Sequence, residues 1–204
     1  MTFPNLTALA QAHPVVLGSG SPRRLQLLSE TGISFTQIVP HIPEDRLPGE
    51  FPYPYAERLA REKAQASFNL TGGSGVAIGC DTIVVLGSDV FEKPTDEADA
   101  FRILTVLSGR QHVVCTAAAY AFNHNAVISG FELTEVYFNS LDPDRIWEYI
   151  KSGEPMDKAG GYGIQGMGGF LVDRIVGNLD TVVGLPRTLL ERLAGEVLHC
   201  LQDR

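Results

Sequence analysis

The sequence predicts an α/β fold, a mixed central sheet flanked by helices in two lobes around a cleft, and three observations carry that expectation. Strand-like apolar runs alternate with helical periodicity in both halves of the chain. With 44% apolar and 20% charged residues, the chain can bury a core. A length of 204 residues suits one domain, or two lobes sharing a hinge, so residues 1–204 are read as a single domain.

The elements follow in order. Pro14–Leu17 is a short apolar run ending in Gly-Ser-Gly-Ser-Pro, and Leu25, Leu27 and Leu28 then recur at helical spacing until Gly32. Ser21 suits an N-cap and Pro22 a first helical position. Residues 33–39 alternate like a strand. Between Pro40 and Pro54, five prolines and three acidic residues predict an irregular loop. Tyr55 to about Leu70 is rich in helix formers. Val76–Leu86 is an apolar strand broken only by Asp81 and Thr82, and Gly87-Ser88 turns it back into a hairpin arm at 89–92. Asp96–Leu107 is helical. Two β-rich runs, His112–Phe122 and Ala126–Asn139, flank Asn123-His124-Asn125. A helix at Pro143–Lys151 is capped by Asp142. Residues 160–169 are dense in glycine, Phe170–Val176 is a strand, and Leu189–Gln202 is a closing amphipathic helix. No repeat or low-complexity tract intervenes.

Bulk properties exclude several classes of function. The formal net charge of −8, with no basic tail or stripe, disfavours a nucleic-acid backbone as partner. No apolar run approaches the length of a membrane span, and the first residues lack a basic segment leading into a long apolar one, so a cytoplasmic home is expected. Cys80, Cys115 and Cys200 are odd in number and widely spaced, which predicts buried small hydrophobes rather than a disulfide framework or zinc site. The five histidines show no metal-ligand spacing, so any metal must be held by oxygen.

Four segments could carry chemistry. In Gly18-Ser19-Gly20-Ser21-Pro22-Arg23-Arg24, small residues allow close backbone approach. The helix start offers free N–H groups, and Arg23 and Arg24 supply forked donors for phosphate oxygens. An ordinary capped helix with surface arginines is the plain alternative. Asp81 lies on a strand otherwise fit for burial, so it needs a partner: a metal, a water to deprotonate, or backbone amides. Lys93 sits past a hairpin arm beside a stiff proline; Lys63, in a helix, would by itself be solvated, and Glu44 would be an exposed acid. Glycines around Tyr162 and Gln165 suggest a loop wrapping a flat ligand, with the Gln165 amide offering both donor and acceptor to a base edge.

Taken together, S-x-S-P-R-R at 19–24, L-A-x-x-K-A at 59–64, G-x-D-T-I-V at 79–84, E-K-P at 92–94, D-K-A-G-x-Y-G-I-Q at 157–165 and V-V-G-x-P at 182–186 resemble the Maf family of nucleotide pyrophosphatases. The match runs from about Val15 to Pro186, and six ordered motifs make it specific. The resemblance implies a two-lobed fold related to inosine triphosphatases. It also implies hydrolysis of nucleoside triphosphates between the α and β phosphates with Mg²⁺, Mn²⁺ or a similar divalent metal cation. The segment at 157–165 is similar to that of the branch preferring dTTP and UTP. By position, Asp81 matches the proton acceptor, and Arg23, Thr82 and Gln165 match substrate-discriminating sites. Arg24 matches a phosphate contact; Glu44, Lys63 and Lys93 match other polar residues of the cleft, and Ser21 belongs to the same substrate-binding turn. Metal would fall to Glu44, with Asp81 as base, ligand or both. Two departures stand out: Gly18 replaces a common alanine, and Pro43 replaces a frequent acid beside Glu44, leaving fewer loop carboxylates. Arg24, Lys93 and Asp81 should then converge on one polyphosphate. A nucleotide-binding regulator of division without turnover, and a house-cleaning hydrolase of non-standard purine triphosphates, are the rival readings. Oligomeric state stays open, with a homodimer as the working expectation.

Overall fold

A computed structural model describes residues 2–202. The chain divides into two compact units, residues 1–81, 116–132 and 184–204 in the first and residues 82–115 and 133–183 in the second. The polypeptide passes between them at 81/82, 115/116, 132/133 and 183/184.

The first unit opens with α1 (Pro4–Ala12), an element the sequence reading missed. It has no side-chain cap of its own. Its free amides at Asn5 and Leu6 instead donate to the Glu191 carboxylate at 2.8 and 2.9 Å, from α7 (Arg187–Gln202). Next come β1 (Val15–Gly18), α2 (Pro22–Ser29), β2 (Thr36–Ile38) and α3 (Pro52–Leu70). The helix α3 begins three residues earlier than its composition suggests, because prolines at 52 and 54 are tolerated in a first turn whose N–H groups lack partners anyway. Strand β3 (Val76–Leu86) lies parallel to β1, Val15 opposite Val76 and Gly18 opposite Gly79, and β1 is parallel to β2. Leu17, Leu28, Leu59, Phe68, Ile78, Tyr120, Leu190 and Leu193 form the buried interior of this unit.

The second unit contains β4 (Asp89–Phe91), antiparallel to β3, and α4 (Glu97–Leu107) capped by Asp96, whose side chain accepts from the Asp99 amide. Strands β5 (Gln111–Asn123) and β6 (Ala126–Phe138) each run through both units. Helix α5 (Pro143–Lys151), three 3₁₀ turns at Glu154–Asp157, Ala159–Gly161 and Met167–Leu171, β7 (Val172–Val176) and α6 (Leu179–Val183) complete it. A 3₁₀ turn replaces the first two residues of the expected strand at 170–176. Ile103, Leu104, Phe138, Ile146, Tyr149 and Tyr162 pack its core. The mixed sheet runs β2-β1-β3-β5-β6-β7, with β4 on β3. Among the described residues, no helix is long and apolar enough to cross a membrane.

Candidate functional site

The β1–α2 turn folds as the sequence suggests. Ser21 is the N-cap of α2 and its hydroxyl accepts from the Arg24 amide at 3.4 Å, while Ser19 Oγ accepts from the Ser21 amide at 3.2 Å. The Gln37 amide on β2 donates to the Ser19 carbonyl at 2.7 Å, tying the turn to its neighbouring strand. Arg23 is half-buried on the first turn of α2. Arg24 points inward. Its Nη1 donates to the Cys80 carbonyl at 2.8 Å and to Ser19 Oγ at 3.3 Å, and its Nε donates to the Gly184 carbonyl at 2.8 Å. A guanidinium held by three acceptors is a fixed cation.

The glycine of this turn answers to the helix behind it. A Cβ on Gly18 would lie 2.2 Å from Ser67 Oγ of α3, and one on Gly79 would lie 2.2 Å from the Ala60 carbonyl oxygen and 2.4 Å from the Ala64 nitrogen. Glycine at 18 and 79 and small residues at 60, 64 and 67 therefore let α3 press directly onto β1 and β3. Gly18 was expected to admit a ligand; its close neighbour is Ser67.

This approach delivers Lys63 to Asp81. Lys63 is 8% exposed and Asp81 6%, and the ammonium donates to Asp81 Oδ1 at 2.7 Å and to Glu44 Oε2 at 2.8 Å. The helical lysine expected in solvent is thus the partner that the strand carboxylate requires. Burial pushes the Asp81 carboxyl above the ordinary carboxylate range, against the opposing charges of Lys63 and Arg24. Burial also pushes the neighbouring Cys80 thiol up to about 11, which keeps it protonated near neutral pH.

Glu44 is exposed, yet its backbone is anchored. The Tyr55 hydroxyl donates to the Glu44 carbonyl at 2.6 Å, and Arg58 of α3 donates to the Asp45 carbonyl at 2.9 Å. Arg58 also grips Glu50 through two parallel bonds of 2.8 and 2.9 Å, which hold the Glu50 carboxyl below its ordinary value. Tyr55, Arg58 and Glu50 went unnoticed in the sequence; only the Arg58–Glu62 spacing of four residues hinted at an ion pair.

Glu44 and Asp81 thus both contact one ammonium, that of Lys63. No cluster of three or more His, Cys, Asp or Glu suited to a metal occurs among the described residues. A pair of carboxylates fits Mg²⁺ or Mn²⁺, ions that keep several waters and take phosphate oxygens as further ligands.

The remaining candidates belong to the second unit. Thr82 follows Asp81 on β3 and is half-buried, Lys93 is exposed just past β4, and Gln165 is exposed on the glycine-dense segment. That segment does not display its aromatic residue. Tyr162 is buried and its hydroxyl meets His112 Nε2 at 2.9 Å, with the Phe138 ring against both. Gly160 and Gly161 have φ of 70° and 68°, the left-handed turn that carries the chain past Val84 and Pro94. Cys80 and Cys115 are buried as expected; Cys200 is exposed, because it falls on the outer face of α7.

Comparison with known proteins places this geometry in context. Residues 14–197 match the family model described as Maf-like protein. The chain is 49% identical over 175 residues to a dTTP/UTP pyrophosphatase of Vibrio cholerae, covering 84% of this chain and 91% of that one. A dTTP/UTP pyrophosphatase of Salmonella typhimurium is 49% identical over 83% of this chain and 86% of its own, and one of Vibrio vulnificus is 44% identical over 91% and 100%. Among solved structures, a nucleoside-triphosphatase / dITP/XTP pyrophosphatase from Mycobacterium abscessus covers 93% of this chain and 97% of its own at 16% identity, with a TM-score of 0.48.

Proposed function

Because the chain belongs to the Maf-like protein family, we propose that it hydrolyses dTTP and UTP between the α and β phosphates, releasing the nucleoside monophosphate and pyrophosphate. The observation that carries this reading is the buried Lys63–Asp81 ion pair, shared with Glu44 and set beside the anchored Arg24. One family model runs through both units, which supports treating the chain as a single functional domain.

In this mechanism Asp81 accepts a proton from the water that attacks the α-phosphorus. The water oxygen bonds to that phosphorus as the bond to the bridging oxygen breaks, and pyrophosphate departs with the bridging oxygen. A carboxyl raised by burial is a stronger base than an ordinary aspartate, which suits proton abstraction nearer neutral pH. Arg24 and Lys63 supply fixed positive charge for the polyphosphate, so most of the acceleration is positioning and electrostatics. Glu44 and Asp81 would hold the divalent ion, whose contribution when bound is to neutralise charge on the polyphosphate. By the resemblance, Arg23, Thr82 and Gln165 are assigned to substrate discrimination, with Arg23 and Gln165 setting the choice of base, and Ser21 and Lys93 to substrate binding. An acidic protein of net charge −8 with a few gathered cations suits a free nucleotide better than a nucleic acid.

The test is product analysis with dTTP and UTP in the presence of Mg²⁺ or Mn²⁺. Monophosphate plus pyrophosphate is the expected outcome; diphosphate plus phosphate, or no turnover, sinks the assignment. Asp81→Asn should lower kcat by about 10²–10⁴-fold, the usual span for a lost general base. Gln165→Ala should reduce discrimination between pyrimidine and purine triphosphates by roughly 1–3 kcal/mol. A substrate profile identical to that of the parent removes Gln165 from the base contact.

A further inference from the structure

The segment carrying Gln165 is tied down by a carboxylate that the reaction does not use. Glu154 opens the first 3₁₀ turn after α5. Its Oε2 accepts from the Met167 amide at 2.8 Å, and its Oε1 accepts from the Gly168 amide at 3.2 Å and from the Tyr149 hydroxyl at 3.0 Å. The same hydroxyl accepts from the Gly163 amide at 3.0 Å. Gln165 therefore lies between tied points at 163 on one side and 167–168 on the other. Lys158 closes the base of the segment, its ammonium donating to the Glu154 carbonyl at 2.6 Å.

The glycines here answer to that carboxylate and hydroxyl. A Cβ on Gly166 would lie 2.6 Å from Glu154 Oε2, one on Gly168 2.6 Å from the Tyr149 hydroxyl, and one on Gly163 2.6 Å from Lys158 Cε and 3.0 Å from Glu154 Oε1. The backbone of the loop expected to wrap a flat ligand is pressed onto Glu154 and Tyr149. Tyr149 is itself almost fully buried, so the clamp rests on the core of the second unit. Burial would raise the Glu154 carboxyl, but three donors on one carboxylate hold its pKa below the ordinary value.

Clamping matters because of what a glutamine amide can and cannot distinguish. Its carbonyl oxygen and its NH₂ group lie side by side. Turned one way, the pair complements the 4-carbonyl and N3–H of thymine or uracil; turned over, it complements the 4-amino group and bare N3 of cytosine. A mobile segment lets the amide meet either base, whereas backbone held on both sides of Gln165 restricts which base edge the amide can reach.

We infer that Glu154 and Tyr149 are positioning residues that fix the Gln165 segment and thereby set the choice of base. This rests on the reading of Gln165 as the base contact.

The experiment uses the full chain with Glu154→Gln and Tyr149→Phe. Glu154→Gln turns an amide NH₂ toward one of the backbone donors; Tyr149→Phe removes a single hydroxyl and serves if the first variant does not fold. Amide hydrogen exchange at 163–168 and kcat and KM for dTTP and dCTP are measured on each. Faster exchange is expected in the segment, with kcat for dTTP little changed and KM for dTTP raised. The ratio of kcat/KM for dTTP over dCTP should fall by about tenfold, the scale of one lost polar contact. Faster exchange with an unaltered ratio overturns the inference while leaving the proposed hydrolysis standing. Unchanged exchange overturns the clamp itself. A parent protein that does not turn over dTTP overturns both readings.

Discussion

Lys63 carries two carboxylates on one ammonium, and that arrangement makes a signed prediction. Its charge opposes the burial that raises the Asp81 carboxyl, so Lys63→Met should raise that carboxyl further. A base must be deprotonated to act. The acid limb of the kcat/KM profile should therefore move to higher pH in the variant, besides any fall in rate. A limb that stays in place would show that Asp81 is not the group titrating. Asp81 could be singled out from the sequence because a carboxylate in an apolar strand demands a partner. Lys63 could not, since nothing in a helix of Ala, Glu, Arg and Lys says that its one lysine turns inward. Only the resemblance named it, and the structure supplies the physical reason.

At the scale of elements, that reason is a contact without side chains. Gly79 lets α3 lie on β3 so closely that an added methyl would meet the Ala60 and Ala64 backbone, which cannot swing aside as a side chain can. Gly79→Ala should destabilise the protein by about 1–3 kcal/mol through overpacking and, by pushing α3 away, lengthen the Lys63–Asp81 contact. Denaturant unfolding and kcat measured together check this; a variant with parental stability and activity refutes the close-packing account. Most strands and helices were legible because their periodicity and caps are local. Ser21, Asp96 and Asp142 cap the helices they precede. Helix α1 was not legible, because its end is satisfied by Glu191, remote in sequence. The glycines at 163 and 166 stand out in the sequence, but the sequence shows only that space is needed and not that Glu154 lies against them.

For the molecule as a whole, pH should act through His112. Burial pushes its imidazole from 6.5 down to about 4, so the folded chain refuses a proton that the unfolded chain takes up. Stability from this source is present above pH 6.5 and lost as pH falls toward 4, by on the order of 3 kcal/mol across that range. His112→Gln should flatten the dependence of the urea midpoint on pH in that interval. Equal slopes for variant and parent would assign the acid sensitivity elsewhere. The route of the chain has a consequence of its own. It leaves the first unit after residue 81, returns at 116, leaves again after 132 and returns at 184, so neither unit is one stretch of sequence. A recombination event with a single crossover always splits at least one of them. Neither can be grafted onto another protein, or lost from this one, as a cassette; they must be inherited as a pair.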